Sequence, residues 1–297
     1  MSAPTTRELV GKPVAEQLYE ETARKWRDRT GAPIPGLASV AVGEDGPFRL
    51  YQRQQRRSFE RQGLRFREVV VPGNASMAEL RSTLAGLNAD PEVHGILLQH
   101  PLPRPLEFFA AMSEVSPEKD IDGVGIQNLG RLVTRQPIHV PAVAKAALEI
   151  LRFYGLSPAR KRVTVVGRSE TVGIPTVLLL LMKGEWGDAT VTVAHSGTPD
   201  LDAAVRGADI VISCAGKHRI VNRGNVKQGA VVVDVGVSGI PDPAKPGATL
   251  MVGDADAQEL AGWASAVTPV PGGVGPVTVA ELIRNTVVAW SLLEGAR

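Results

Sequence analysis

The chain has 297 residues, 43% hydrophobic and 22% charged, with a formal net charge of +2 at pH 7. That length suits two domains each burying a core of its own, and the near-balanced charge leaves no electrostatic footprint for nucleic acid. A single cysteine, Cys214, excludes an intrachain disulfide and a cysteine cluster for zinc, so a reducing cytoplasm is the expected compartment. The histidines at 94, 100, 139, 195 and 218 lack metal-ligand spacing, and no metal is expected. The longest apolar run, residues 173–182, stops at Lys183 and is too short to span a bilayer. No stretch near Met1 joins a basic region to an apolar core and a cleavage site, so neither a secretory leader nor membrane association is expected.

In chain order, Leu9, Val14, Leu18, Ala23 and Trp26 are spaced as on one face of a helix within residues 6–28, ended by Pro33, Pro35 and Gly36. LASVAV (37–42) reads as a buried strand and GEDGP as the loop after it. A helix is expected from Phe48 to about Gly63, then the strand FREVVV, a helix over 76–88 and a third buried strand, GILLQ (95–99). Strands alternating with helices at this spacing indicate an α/β domain with a mostly parallel sheet. Pro101 and Pro103 launch a loop, and SPEKDIDGVGIQNLGRL (116–132) is polar and glycine-punctuated, so no regular element is expected there. Residues 142–154 read as a connecting helix. Strands follow at 163–166, 190–194, 209–213 and 231–235, and a Pro/Gly loop leads into a closing helix.

The most informative stretch is VTVVGRSETVGIP (163–175), a strand, a tight turn and a helix start. It lacks the G-x-G-x-x-G spacing. Gly167 opens the turn, Gly173 allows close packing of helix on strand, and Pro175 fits the first helical turn. Backbone N–H groups and the positive end of the helix dipole there suit a pyrophosphate, hence a dinucleotide. Arg168 and Ser169 stand at the strand end, and the next strand finishes at His195 and Ser196 without an acid. An acid there would bond a ribose 2′-hydroxyl, so its absence beside an arginine favours NADP over NAD.

Ligands in open α/β sheets lie beyond the carboxyl ends of strands. Tyr51, Gln99, Asp120 and Asp122 sit at such ends in the first half of the chain and, with PGGVGP (271–276), are expected to converge on one crevice. Each has a plainer alternative: a core aromatic for Tyr51, turn residues bonding their own backbone for the two aspartates. Gln99 is harder to dismiss, because a carboxamide ending an apolar strand must find partners. Arg49, Arg53, Arg57, Arg61 and Arg65 recur every four residues, either as a solvated face or as a strip for an anionic tail.

On these motifs the chain resembles the methylenetetrahydrofolate dehydrogenase/cyclohydrolase family over essentially its whole length. PGLASVAVGED with Tyr51, GILLQHPLP, SPEKDIDG, VVGRSETVGIP, TVAHSGT, ADIVISCAGK, GAVVVDVGV and PGGVGPVT stand in the family's order and spacing. The resemblance implies a two-domain α/β fold. A folate-type catalytic domain spans 1–143 plus 277–297 because the C-terminal helix returns to it, and a Rossmann-like NADP-binding domain spans 144–276. It implies a homodimer built through the nucleotide domains and a folate substrate, with or without a polyglutamate tail. Cofactor would meet Gly167, Arg168, Ser169, Gly173, His195, Ser196 and Thr278; substrate would meet Phe48, Tyr51, Pro271, Gly272 and Gly273. The catalytic set it implies is Tyr51, position 55, Gln99 and Asp122.

The chain departs from the family's pattern on the folate side. Gln55 stands where the family has its proton-exchanging lysine, Phe48 where it has a serine, Val124, Gly125 and Ile126 in place of an aromatic-His-Pro run, and Ala142, Val143 and Ala144 in place of Cys-Thr-Pro. An amide exchanges no proton near neutral pH. The expected activity is therefore NADP-dependent oxidation of 5,10-methylenetetrahydrofolate with cyclohydrolase activity absent or weak. The alternatives are a same-fold oxidoreductase of a non-folate, imine-like substrate and a non-catalytic NADP-binding protein.

Overall fold

The computed structural model describes residues 5–295 except 30, 45, 47, 243, 246 and 248. In chain order the elements begin with β1 (Arg7–Glu8), α1 (Gly11–Trp26), β2 (Gly36–Val42), α2 (Phe48–Arg61), β3 (Arg65–Val71), α3 (Met77–Ala89) and β4 (Gly95–Leu98). Then come α4 (Phe108–Met112), α5 (Ile126–Val133), α6 (Ala142–Phe153), β5 (Arg162–Val166), α7 (Gly173–Leu180), β6 (Thr190–Ala194), α8 (Leu201–Arg206) and β7 (Ile210–Ser213). The last are β8 (Val231–Asp234), β9 (Ser238–Pro241), β10 (Thr249–Val252), α9 (Ala257–Leu260), β11 (Ala266–Val267) and α10 (Val274–Gly295). They form two compact units, Met1–Glu16 with Val143–Thr278, and Gln17–Ala142 with Val279–Arg297.

The second of these holds a parallel sheet in the order β3-β2-β4. All seven residues of β2 are buried, as a central strand covered on both faces requires, and β3 is the half-exposed edge. Val40, Leu80, Leu84, Ile96 and Leu98 belong to one core cluster. A capping box of Ser76 and Glu79 starts α3. Its far end is closed by Lys119, whose buried ammonium donates to the carbonyls of Leu87, Asn88 and Asp90. The chain runs from β2 to one side and then to the other, which puts the topological switch point between β2 and β4.

The closing helix α10 joins this unit, as the resemblance implied. Trp290 Nε1 donates to Pro33 O, and Asn285 Nδ2 donates to Ile121 O. Gly36 N–H donates to His94 Nδ1, so the remaining ring proton lies on Nε2, 3.5 Å from Glu294 of α10. Residues 116–132, expected to be irregular, contain all but the last residue of α5, because Asn128 and the Gly125 N–H are both tied to the Asp120 carboxylate.

The other unit carries a six-stranded parallel sheet in the order β1-β11-β8-β7-β5-β6, with its switch point between β5 and β7. Its N-terminal part differs from the expected division at residue 143. Arg7 and Glu8 pair with Ala266 and Val267, and Gly11 N–H donates to Gly272 O, so these residues complete the six-stranded sheet. A two-residue strand carries too little pattern to be read from sequence. The antiparallel hairpin of β9 and β10 was likewise not anticipated.

Candidate functional site

In the three-stranded unit the inner face of α2 buries Phe48, Gln52, Gln55 and Phe59, so two of its four buried positions are amides. Ser39, in the middle of β2, is their hub. Its hydroxyl accepts from Gln52 Nε2 and from Gln99 Nε2, both at 3.0 Å, and Gln99 Nε2 also donates to Gln55 Oε1 at 2.9 Å. Gln55 and Gln99 are thus brought together at the switch point, with half-buried Tyr51 one helical turn before Gln55. Phe48 is buried against the backbone of Gly46. All four members of the network are neutral at every ordinary pH. The sequence offers this unit two lysines; Lys25 is exposed on α1, and Lys119 is held by three carbonyls.

Asp120 and Asp122, equivalent by sequence, have different surroundings. Asp120 is 1% exposed and accepts from the N–H of Gly123 and Gly125 and from Asn128 Nδ2, which makes it the organiser of its loop. Burial raises its pKa while those hydrogen bonds oppose the rise. Asp122 is half-buried, and its carboxylate is not drawn into those bonds. Its backbone is fixed on both sides: Ala142 N–H donates to Asp122 O, and Asn285 holds Ile121 O. Gly123 turns at φ +72°, where a Cβ would stand 2.7 Å from the Val140 carbonyl carbon. Burial, and then the charge of Asp120, push the Asp122 carboxyl up to about 7.

In the six-stranded unit, Gly167 follows β5 at φ +131°, and a Cβ there would stand 2.6 Å from Cys214 Sγ. Gly173 N–H donates to Ser169 Oγ at 3.3 Å. A Cβ on Gly173 would meet Gly167 O at 2.6 Å, so the helix start lies directly on the turn. Exposed Arg168 and half-buried His195 end the adjacent strands β5 and β6, with Ser196 exposed beside them. Gly197 N–H lies 3.1 Å from His195 Nδ1 and Arg168 Nη1 lies 3.4 Å from His195 Nε2, the tautomer deciding which of the two nitrogens accepts. A guanidinium and an imidazole therefore stand side by side with no acid at the strand end. A 2′-phosphate placed there would accept from the Arg168 guanidinium, so the residues present fit NADP.

The remaining expected positions are distributed as follows. Thr278 is buried, and its hydroxyl donates to Val274 O in its own helix. Pro271 follows a cis peptide bond, and Gly272 (φ +108°) and Gly273 pack on the start of α1. They belong to the six-stranded unit, whereas Phe48, Tyr51, Gln55, Gln99 and Asp122 belong to the other. The arginine row is broken up: Arg49 bonds Gln52 and Glu44 O, Arg61 lies over the Tyr19 ring, and Arg65 pairs with Glu92. Arg53 and Arg57 are exposed on the side of α2 away from its buried face, which favours the solvated face. Sequence reasoning does not find Ser39, Gln52 and Asn285; the usable signal is polar residues at core spacing on a helix, which applies to Gln52 and Asn285 and not to Ser39. Among the described residues no three His, Cys, Asp or Glu side chains gather as a metal site, and no helix is long and apolar enough to cross a membrane.

The architecture defines a class first: a two-unit α/β protein with a dinucleotide-type turn at one switch point and a buried polar cluster at the other. The model of the tetrahydrofolate dehydrogenase/cyclohydrolase catalytic domain matches residues 9–122, and that of the NAD(P)-binding domain matches residues 141–293. The chain belongs to the tetrahydrofolate dehydrogenase/cyclohydrolase family. It is 40% identical over 281 residues to the bifunctional protein FolD of Chlorobium phaeovibrioides, covering 93% of this chain and 95% of that one. It is also 40% identical over 287 residues to bifunctional protein FolD 2 of Arabidopsis thaliana, covering 95% of each. Among solved structures, a 5,10-methylenetetrahydrofolate dehydrogenase from the silkworm Bombyx mori superposes with a TM-score of 0.90 at 34% identity, covering 98% of this chain and all of that one. The Trypanosoma brucei dehydrogenase-cyclohydrolase FolD, complexed with NADP cofactor and inhibitor, superposes with a TM-score of 0.89 at 36% identity, covering 99% of each.

Proposed function

We propose that this protein is an NADP-dependent dehydrogenase that oxidises 5,10-methylenetetrahydrofolate to the 5,10-methenyl cation, with cyclohydrolase activity absent or very weak. The observation that carries the second half is the amide at position 55, buried and bonded to Gln99, where the family resemblance implies a lysine. Bound NADP supplies the hydride acceptor. Removing hydride from the methylene carbon needs no strong base; it leaves a positive charge on substrate, which an ionised Asp122 stabilises through space. The Arg168 guanidinium, beside His195 and with no acid at the strand end, favours a 2′-phosphorylated cofactor. Ring opening of the methenyl product, by contrast, needs proton exchange at the attacking water and at a ring nitrogen. The network of Ser39, Gln52, Gln55 and Gln99 orients hydrogen-bonding groups and moves no proton.

The test supplies methylenetetrahydrofolate and NADP to the purified protein and follows reduced cofactor and methenyl product together by absorbance. Equal accumulation of both is expected. Methenyl loss faster than in buffer, abolished in a Tyr51→Phe variant, would refute the hydrolytic half. A second reading draws on buried Phe48, which puts an apolar ring where the family pattern implies a serine. If NADP binds but methylenetetrahydrofolate is not turned over, hydride transfer with an imine-like compound separates this reading from a non-catalytic NADP-binding protein.

A further inference from the structure

We infer that Asp254, braced by Asp234, is a positioning residue for the nicotinamide half of the cofactor: it fixes the loop 214–218 at the switch point of the six-stranded sheet. The inference rests on the reading of this unit as an NADP site. Both carboxylates are almost inaccessible, 0% and 2% exposed, and neither takes part in the proposed chemistry.

The loop after β7 flanks the β5 turn directly, since Cys214 N–H donates to Val166 O and Gly167 has room only for a hydrogen against Cys214. Asp254 gathers this loop. Its Oδ2 accepts from Ser213 Oγ at 2.8 Å, Ala215 N–H at 2.7 Å and Gly216 N–H at 3.3 Å, and its Oδ1 accepts from Lys217 N–H at 2.8 Å. Three successive backbone N–H groups, with Gly216 in the left-handed region at φ +64°, form a nest of the kind that otherwise receives a bound anion. Here the chain's own carboxylate fills it. The nest is therefore closed to a phosphate, which leaves the pyrophosphate to the turn after β5 and the β7 side of the switch point, opposite His195 of β6, to the ring.

Asp234 holds Asp254 in turn. Its Oδ1 accepts from Gly236 N–H at 3.0 Å and from Asp254 N–H at 3.1 Å, and its Oδ2 accepts from Ala255 N–H at 2.8 Å. Two glycines make room for the pair. A Cβ on Gly236 would lie 2.1 Å from the Asp254 carboxyl carbon, and one on Gly253 would lie 2.0 Å from Asp234 Oδ2. His218 Nδ1 also reaches Gly253 O at 3.0 Å, so the far end of the loop is tied to the same segment.

The test is calorimetric titration of the full chain with NADP and with adenosine 2′,5′-bisphosphate, which has the 2′-phosphate but no nicotinamide. Asp254→Asn keeps one acceptor for four donors and is expected to weaken NADP about tenfold while changing the bisphosphate by less than about twofold. Ser213→Ala removes one donor and spares the carboxylate. It serves if the first variant does not fold, with an expected loss of about threefold for NADP alone. Equal weakening of both ligands, or no weakening of NADP in either variant, overturns the positioning role. A wild-type protein that binds neither ligand overturns instead the reading of the unit on which it rests.

Discussion

Replacing Asp122 by asparagine should make the protein more stable and less active, and the two effects should share one pH dependence. Its carboxyl is raised from 3.8 to about 7 by burial and by Asp120. The folded protein thus binds that proton more readily than the unfolded chain does. The group's contribution to stability is fully present only below pH 3.8 and is lost progressively as pH rises from there through 7. Three units correspond to about 4 kcal/mol at most, and because the side chain keeps some contact with water we expect about 2 kcal/mol of relief at pH 8 in Asp122→Asn. Melting curves at pH 4.5 and pH 8 read this directly: a higher midpoint for the variant at pH 8 and a gap reduced to about a quarter of that at pH 4.5. If ionised Asp122 stabilises the developing cation, wild-type kcat should fall about tenfold between pH 8 and pH 6, and the variant should be slow and flat over the same range. A variant no more stable at pH 8, or equally stabilised at both pH values, would refute the assigned cause.

Other outcomes follow from the same geometry. Gln55→Lys should bring methenyltetrahydrofolate hydrolysis above the buffer rate, and a further Gln99→Ala change should reduce it again; a silent Gln55→Lys would mean that the other changes in this unit also matter. Ser39→Ala strips two buried amide donors of their shared acceptor and should cost about 2–4 kcal/mol in a denaturant titration, far above the effect of Arg53→Ala on the solvated face. Arg168→Ala should weaken NADP about tenfold and leave NAD nearly unchanged, checked by fluorescence titration of the reduced cofactors.

Much of the architecture was legible because buried parallel strands read as short apolar runs. LASVAV, GILL, RVTVV and VVVD all lie in strands within a residue or two of their expected limits. The turn at Gly167 was legible because one strand-turn-helix pattern needs glycine at two fixed places. The elements that were missed lack an internal signature. β1 exists only because β11 is there to pair with it, and α5 only because Asp120 holds its entry. At the candidate site, Gln99 stood out as a polar residue closing an apolar strand. Ser39 did not, since a small hydroxyl inside a strand is unremarkable until two amides are found pointing at it. The unequal duties of Asp120 and Asp122, two residues apart, depend on Gly123, Gly125 and Asn128 and become visible only in three dimensions.

The pairing of residues 7–8 with 266–267 also bears on how the polypeptide matures. Nearly all of the sequence must leave the ribosome before that short strand meets its mate, so the six-stranded sheet stays open at one margin throughout synthesis. The interposed stretch from 17 to 142 can collapse around β2 in the meantime, while the exposed rim of β8 waits for β11. A nascent chain stalled before residue 266 should therefore be the form most in need of a chaperone.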